Sequence, residues 1–277
     1  MTNPTAALAP LMRTRRETDG AIRDFFVASM PAALMGAWAL GRQVVASHAG
    51  SDSVAAASIE SAIWQLRLLD RLELPSSAGF VQCLLGFALL APALLVALAV
   101  SRGWAELFAR TRSHPLDPSW ALAAWLFVLL LPAGVPAHWV ALGMSFGALF
   151  GCHVFGGTGR YLVNPSLLGA VFLIVAYPET LTMRMWIPGT EILPAWQSVA
   201  AGGVDSAALS WTDAFLGRHV GAFGTTSAAA CLFGALYLFA RRSAAWQSGI
   251  GATAGLAIAS WGFATIKAKK VVWAFQN

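Results

Sequence analysis

The sequence predicts an all-α, polytopic membrane protein, with about seven transmembrane helices, some of them broken, over residues 25–266. Three observations predict it. Hydrophobic residues fill 57% of the 277 positions and charged ones only 11%, against about 25% charged in an ordinary soluble domain. Long stretches carry no formal charge, such as the 34 residues from Ser119 to Cys152. The charge that does exist, net +5, collects at the ends of those stretches. That placement suits anionic lipid head groups and argues against a nucleic-acid partner.

Residues 1–24 are polar and basic, and read as a cytoplasmic segment rather than a cleavable secretory signal. The first span is expected from Phe25 to Ser47, with Pro31 kinking it and Arg42 snorkelling near its end. Residues 53–74 hold Glu60, Arg67, Asp70, Arg71 and Glu73, which exclude a crossing. Ile59, Ile63, Leu66 and Leu69 recur there at helical spacing, so a short amphipathic helix on the membrane surface is expected. The second span runs from Ala78 to Ser101, followed by a basic connector. Ser119 to Cys152 is too long for one crossing and is broken by Pro132 and Pro136, which gives two short helices joined by a turn. A short apolar piece covers Tyr161 to Tyr177, a polar loop covers 178–221, and two more spans are expected at Ala222–Ala240 and Trp246–Ile266. Residues 267–277 form a basic tail.

Arg13, Arg15, Arg16 and Arg23 place the N-terminus in the cytoplasm. Counting onward puts Arg102, Arg110, Arg112, Arg241 and Arg242 on the same side. Lys267, Lys269 and Lys270 then fall outside, unless a proline-flanked segment is re-entrant and flips the later spans. The expectation is seven crossings. No Asp or Glu lies in an expected span, which argues against a carboxylate-driven pump confined to this chain. Cys83, Cys152 and Cys231 lie in apolar runs without metal-ligand spacing and read as buried thiols.

Two glycine arrays interrupt the apolar runs. In the first, Gly156, Gly157, Thr158, Gly159 and Arg160 lead to Asn164 and Pro165. Glycines let backbone N–H groups approach a ligand, and a helix broken at membrane depth leaves such groups needing partners. Arg160 adds a planar cation, Asn164 an amide, and Pro165 suits the first turn of a helix. A flavin ring, a quinone carbonyl or a phosphate matches this set; so does a turn that merely lets two helices pack closely. His153, with no second histidine at helical spacing, reads as a packing residue. The second array holds Gly217, Gly221 and Gly224, followed by Thr225, Thr226 and Ser227. These residues suit helix capping, anion binding at the helix N-terminus, or close packing.

Four stretches, read in order, carry a resemblance: "IRDFFVASMPAALMGAWALGRQ", "GWAELFARTRSHPLDPSW", "FGGTGRYLVNPSLLGAVFLIVAYP" and "SWTDAFLGRHVGAFGTTS". Across roughly residues 22–266 the chain resembles the NqrB/RnfD family, the large membrane subunits of the sodium-translocating NADH:quinone reductase and of the related ferredoxin:NAD complex. The resemblance implies a urea-transporter-like fold of two inverted five-helix repeats. It also implies a place in an electron-transfer complex and flavin cofactors: FMN esterified to a threonine, and in NqrB a riboflavin as well. The chain departs from the pattern in places. Glu191 stands where the flavin-bearing threonine belongs, Thr190 is one place off, and the preceding aspartate is missing. A phosphoester needs a hydroxyl, so covalent FMN at Thr190 is not expected. Cys152 and His153 replace a Lys-Glu pair, Tyr161 an asparagine, and Thr225 a glutamate. About three further spans of the family have no counterpart, so the second repeat is expected to be truncated, with a partner subunit or a second copy covering it.

Together these point to a bacterial inner-membrane subunit of a larger complex with no independent enzyme activity. It is expected to bind a non-covalent flavin (riboflavin or FMN) or a quinone through Gly156–Arg160 and Asn164, with Gly221, Gly224, Thr226 and Ser227 as a second candidate set. It would contact other membrane subunits and lipid. A cofactor-free scaffold for a respiratory or photosynthetic complex, and a small-solute channel, are the alternatives.

Overall fold

The computed structural model describes residues 15–50, 79–113, 116, 118–132, 134–157, 161, 163–178, 211–217, 222–241, 246–247, 249–259 and 261–262. Among them every regular element is helical. In chain order these are α1 (Arg15–Gly50), α2 (Gly79–Arg112), α3 (Trp120–Leu130), α4 (Ala137–Ala148) with a π-helical extension (Leu149–His153), α5 (Pro165–Ala176), α6 (Trp211–Leu216), α7 (Ala228–Ala240) and α8 (Gly249–Ala259). The expected surface helix over 53–74, most of the 178–221 loop and the 267–277 tail lie outside the described residues. The chain divides into two compact units, Met1–Gly234 and Ala235–Asn277.

Two described helices, Asp19–Val45 within α1 and all of α2, are long and apolar enough to cross a membrane. Each continues through an internal proline, Pro31 and Pro92. The connector expected after Ser101 is instead helix: α2 runs on to Arg112. Arg102 and Arg110 flank Glu106 at i,i+4 spacing, at 2.9 and 3.7 Å, a pattern that supports exposed helix. The helix stops only at Ser113, whose φ of 52° is left-handed.

Small residues set the packing of the first unit. A Cβ on Gly41 would overlap the Gln82 carbonyl, and one on Gly86 the Ala37 carbonyl. Thus α1 and α2 lie antiparallel with backbones in contact, and the Arg23 end of α1 shares an end of the bundle with Arg102. α3 packs against both of them. The Ser101 hydroxyl donates to the Trp120 carbonyl at 2.8 Å, the Trp125 indole N–H donates to Ser29 Oγ at 2.8 Å, and Phe26 stacks on Trp125. The break between α3 and α4 falls at Pro132–Pro136, where the prolines predict it. α4 returns toward the Arg102 end, so that His153 stacks on Phe108 with ring centroids 5.1 Å apart. α5 runs antiparallel to α4: Gly147 meets Pro165, Gly143 meets Leu173, and Trp139 stacks on Tyr177 at 4.3 Å. The core surrounds α3 and α4, with Phe127, Val128, Val140, Met144, Leu85 and Leu173 fully buried. In the second unit the Phe239 ring lies against Gly249 of α8.

At 11 to 13 residues, α3, α5 and α7 are each about 16–20 Å long. Each is shorter than the ~30 Å hydrocarbon core of a bilayer. The two glycine arrays sit at the ends of these short helices.

Candidate functional site

The first array begins where α4 widens. Val154 N–H bonds to Leu149 O at 2.9 Å, a π-type i→i−5 step, a feature frequent at functional sites. Gly156 and Gly157 follow with φ of 109° and 90°, a conformation costly for any residue with a Cβ. Their N–H groups do not stay open for a ligand. Gly156 N–H bonds to His153 O at 3.3 Å and Gly157 N–H to Cys152 O at 3.0 Å, which satisfies carbonyls at the helix end. His153 is buried and stacked on Phe108, in keeping with a packing role. The Arg112 guanidinium lies 5.1 Å from the centre of the Phe108 ring. Thr158, Gly159 and Arg160 lie outside the described residues, as do Thr190 and Glu191.

The Tyr161 hydroxyl hydrogen-bonds the Ser119 hydroxyl. Asn164 is the N-cap of α5: its side-chain oxygen accepts the Ser166 N–H at 3.0 Å, and Pro165 takes the first helical position. The Ser166 hydroxyl donates to Ala123 O at 2.9 Å and ties the start of α5 to α3. Between these helix starts lies a cleft of about 200 Å³, with Ser119, Tyr161 and Asn164 as its polar side and Leu122, Leu126 and Val163 as its apolar side. No charged side chain is among the described residues lining it. Pockets for whole cofactors usually measure ~300–1,000 Å³, so this cleft accommodates one ring or the edge of a larger group. The hydroxyl pair and the Asn164 amide are hydrogen-bonding groups suited to a carbonyl oxygen. Sequence reasoning missed Ser119 and Ser166. The only signal was a serine at the start of each apolar run.

The second array closes the other end of α3. Gly224 N–H bonds to Leu129 O at 2.7 Å and Phe223 N–H to Leu131 O at 3.5 Å, so α3's terminal carbonyls find partners in the 222–227 turn. A Cβ on Gly36 of α1 would overlap the Phe223 carbonyl. Ser227 caps α7 by accepting the Ala230 N–H at 3.3 Å. Gly217, at φ 85°, sits directly against Thr226 and Ser227. The Thr226 hydroxyl is buried with no hydrogen-bond partner among the described residues, while Thr225 is exposed and donates to Ala222 O at 3.4 Å. Gly221 lies outside the described residues. The arrays, far apart in sequence, thus meet the two ends of one short helix. Ala123 and Leu129 are about 9 Å apart along its axis.

Residues 5–276 match a model of the NQR2, RnfD, RnfE family. Similar proteins include the B subunits of several Na(+)-translocating NADH-quinone reductases. That of Azotobacter vinelandii is 35% identical over 242 residues, covering 85% of this chain and 59% of that protein. That of Pseudomonas aeruginosa is 34% identical over 248 residues, covering 87% and 61%. That of Chromohalobacter salexigens is 38% identical over 194 residues, covering 68% and 46%. The chain thus spans 46% to 61% of the length of these relatives.

Proposed function

This chain belongs to the NQR2, RnfD, RnfE family, and we propose that it is a membrane-embedded subunit of a bacterial inner-membrane electron-transfer complex that holds a quinone or flavin head non-covalently. Embedding is supported by α1 and α2 and by large apolar side chains turned outward, among them Phe80, Leu95, Val175 and Leu232. Apolar patches of that extent favour lipid or partner helices over water. The alternating directions of α1 to α5 support successive crossings over that part of the expected seven. Arg23 and the Arg102–Arg112 segment share one end of the bundle, which supports a cytoplasmic N-terminus.

The observation that carries the cofactor reading is the cleft between the starts of α3 and α5. A quinone ring, or the carbonyl-bearing edge of a flavin, fits its size, its apolar side and its hydroxyl pair. Ser119 and Tyr161 would orient a carbonyl oxygen there and Leu122 and Leu126 would exclude water. Asn164 would complete the polar side, and Arg160, next to Tyr161 in sequence, is the proposed cationic contact. A bound quinone or flavin would supply the electron-accepting group, which these side chains cannot. Non-covalent binding is favoured because Glu191 lacks a hydroxyl to esterify.

The test is titration of a short-chain quinone into the full chain in lipid nanodiscs. Tyr161→Phe is expected to weaken binding about three- to tenfold, the loss of one hydrogen bond, without lowering thermal stability comparably. Equal affinity in both proteins rejects the cleft as the site.

One observation favours a second reading. The amides of Gly156, Gly157 and Gly224 are all bonded to helix carbonyls, so close packing alone accounts for those three glycines. A cofactor-free scaffold subunit would need nothing more.

A further inference from the structure

We propose that the outward stripe of α2 is a binding face for an anionic phospholipid, with Arg102 holding the lipid phosphate. The proposal rests on the reading of α2 as a membrane crossing. The uncharged run from Gly79 to Ser101 is about 34 Å long at 1.5 Å per residue, enough for the ~30 Å hydrocarbon core. The boundary between hydrocarbon and head groups therefore falls at Ser101–Arg102. Pro92, Leu95, Ala99, Arg102, Glu106 and Arg110 follow one another at spacings of three or four, so they form one face of the helix. All are exposed except Glu106, which is partly exposed. Below the boundary that face is apolar, with Leu95 67% exposed. The small side chain of Ala99 leaves room beside the helix just under the boundary. Above it come two guanidiniums and one carboxylate. The switch takes place within one turn, between Ala99 and Arg102. That is the profile of a phospholipid, acyl chain below and phosphate above.

Arg102 is held for this role. Its guanidinium carbon lies 5.4 Å from the centre of the Trp120 ring, and the Ser101–Trp120 hydrogen bond fixes that tryptophan at the same depth. A tryptophan at the interface paired with arginine is the usual anchoring chemistry of this layer. Arg102 also pairs with Glu106 at 2.9 Å, but its side chain stays 54% exposed. An exposed pair of this kind is weak and yields readily to a phosphodiester, which accepts in the same bidentate way. Arg110, 82% exposed on the other side of Glu106, keeps the local charge positive. The charge selects an anionic head group over a zwitterionic one, and the apolar lower half selects a lipid over free phosphate or an acidic protein surface.

The experiment places the full chain in nanodiscs of equal phosphatidylglycerol and phosphatidylcholine and measures, by native mass spectrometry, which lipid stays bound. Phosphatidylglycerol is expected to be retained in preference. Arg102→Gln should lower that preference about fivefold, the effect of one basic residue near the surface. Glu106→Gln should raise it, and opposite shifts from neighbouring positions on one face are not produced by misfolding. No head-group preference, or one unchanged in Arg102→Gln, overturns the proposal while leaving the membrane reading intact. Displacement of the lipid by inorganic phosphate alone also overturns it. Failure of the chain to enter nanodiscs overturns both.

Discussion

Replacing Gly36 by valine is expected to destabilise the fold by about 3 kcal/mol, the upper end of overpacking costs. The obstacle is the Phe223 carbonyl, which a Cβ on Gly36 would overlap. Backbone cannot rotate aside as the tip of a long side chain does. To relieve the clash the 222–227 turn must move off α1, and that movement strains three other contacts. Gly224 N–H would leave Leu129 O, Phe223 N–H would leave Leu131 O, and the edge-on packing of Phe223 against Phe87, 6.0 Å between centroids, would loosen. The carbonyls at the end of α3 would then lack partners in a place with little water to replace them. Thermal unfolding in detergent, followed by tryptophan fluorescence, reads the change. Gly103→Ala is the control. Nothing lies within 4 Å of a Cβ there, and alanine in a helix is better than glycine by about 0.5–1 kcal/mol. The two substitutions should move the midpoint in opposite directions. An unchanged midpoint in Gly36→Val would show that α1 does not press on this turn.

The second large effect is expected at Arg160. Arg160→Ala should weaken retention of the quinone or flavin by about ten- to a hundredfold, the range for losing a hydrogen bond from a charged group. Arg160→Lys should recover only part of that loss, since a lysine ammonium cannot reproduce the planar two-point donor of arginine. Thermal stability of the ligand-free chain should change little in either variant. Ligand affinity equal to the parent in Arg160→Ala would remove this residue from the site.

Several local features were legible in the sequence because one residue type decides them. Pro132 and Pro136 break the long uncharged run, Asn164 with Pro165 starts α5, and Ser227 caps α7. The extension of α2 to Arg112 was not legible, because Arg102, Glu106 and Arg110 read equally as a polar connector. Their i,i+4 pairing and the packing of Phe108 against His153 support the segment as helix. The glycine arrays show a different limit. A glycine signals that backbone comes close to something, but not to what. Gly156, Gly157 and Gly224 turn out to face helix carbonyls, which a single sequence cannot distinguish from facing a ligand. The cleft is hidden in the sequence because its hydroxyls come from distant segments. Ser119 and Tyr161 are 42 residues apart, and nothing short of the fold places their hydroxyls together. The surface helix expected over 53–74, and the positions of Thr158, Gly159, Arg160, Thr190, Glu191 and Gly221, lie outside the described residues.

The proposed function requires this subunit to carry a redox group without a covalent link. The most direct measurement is gentle purification from native membranes, with a visible absorbance spectrum, a solvent extract and an intact mass taken on one sample. The predicted result is flavin absorbance or an extractable quinone near one per chain, with the unmodified polypeptide mass. A mass increased by FMN would contradict the non-covalent reading and direct attention to Thr190. Neither flavin nor quinone, in a preparation that keeps a stoichiometric partner subunit, would contradict the claim itself and establish the chain as a scaffold.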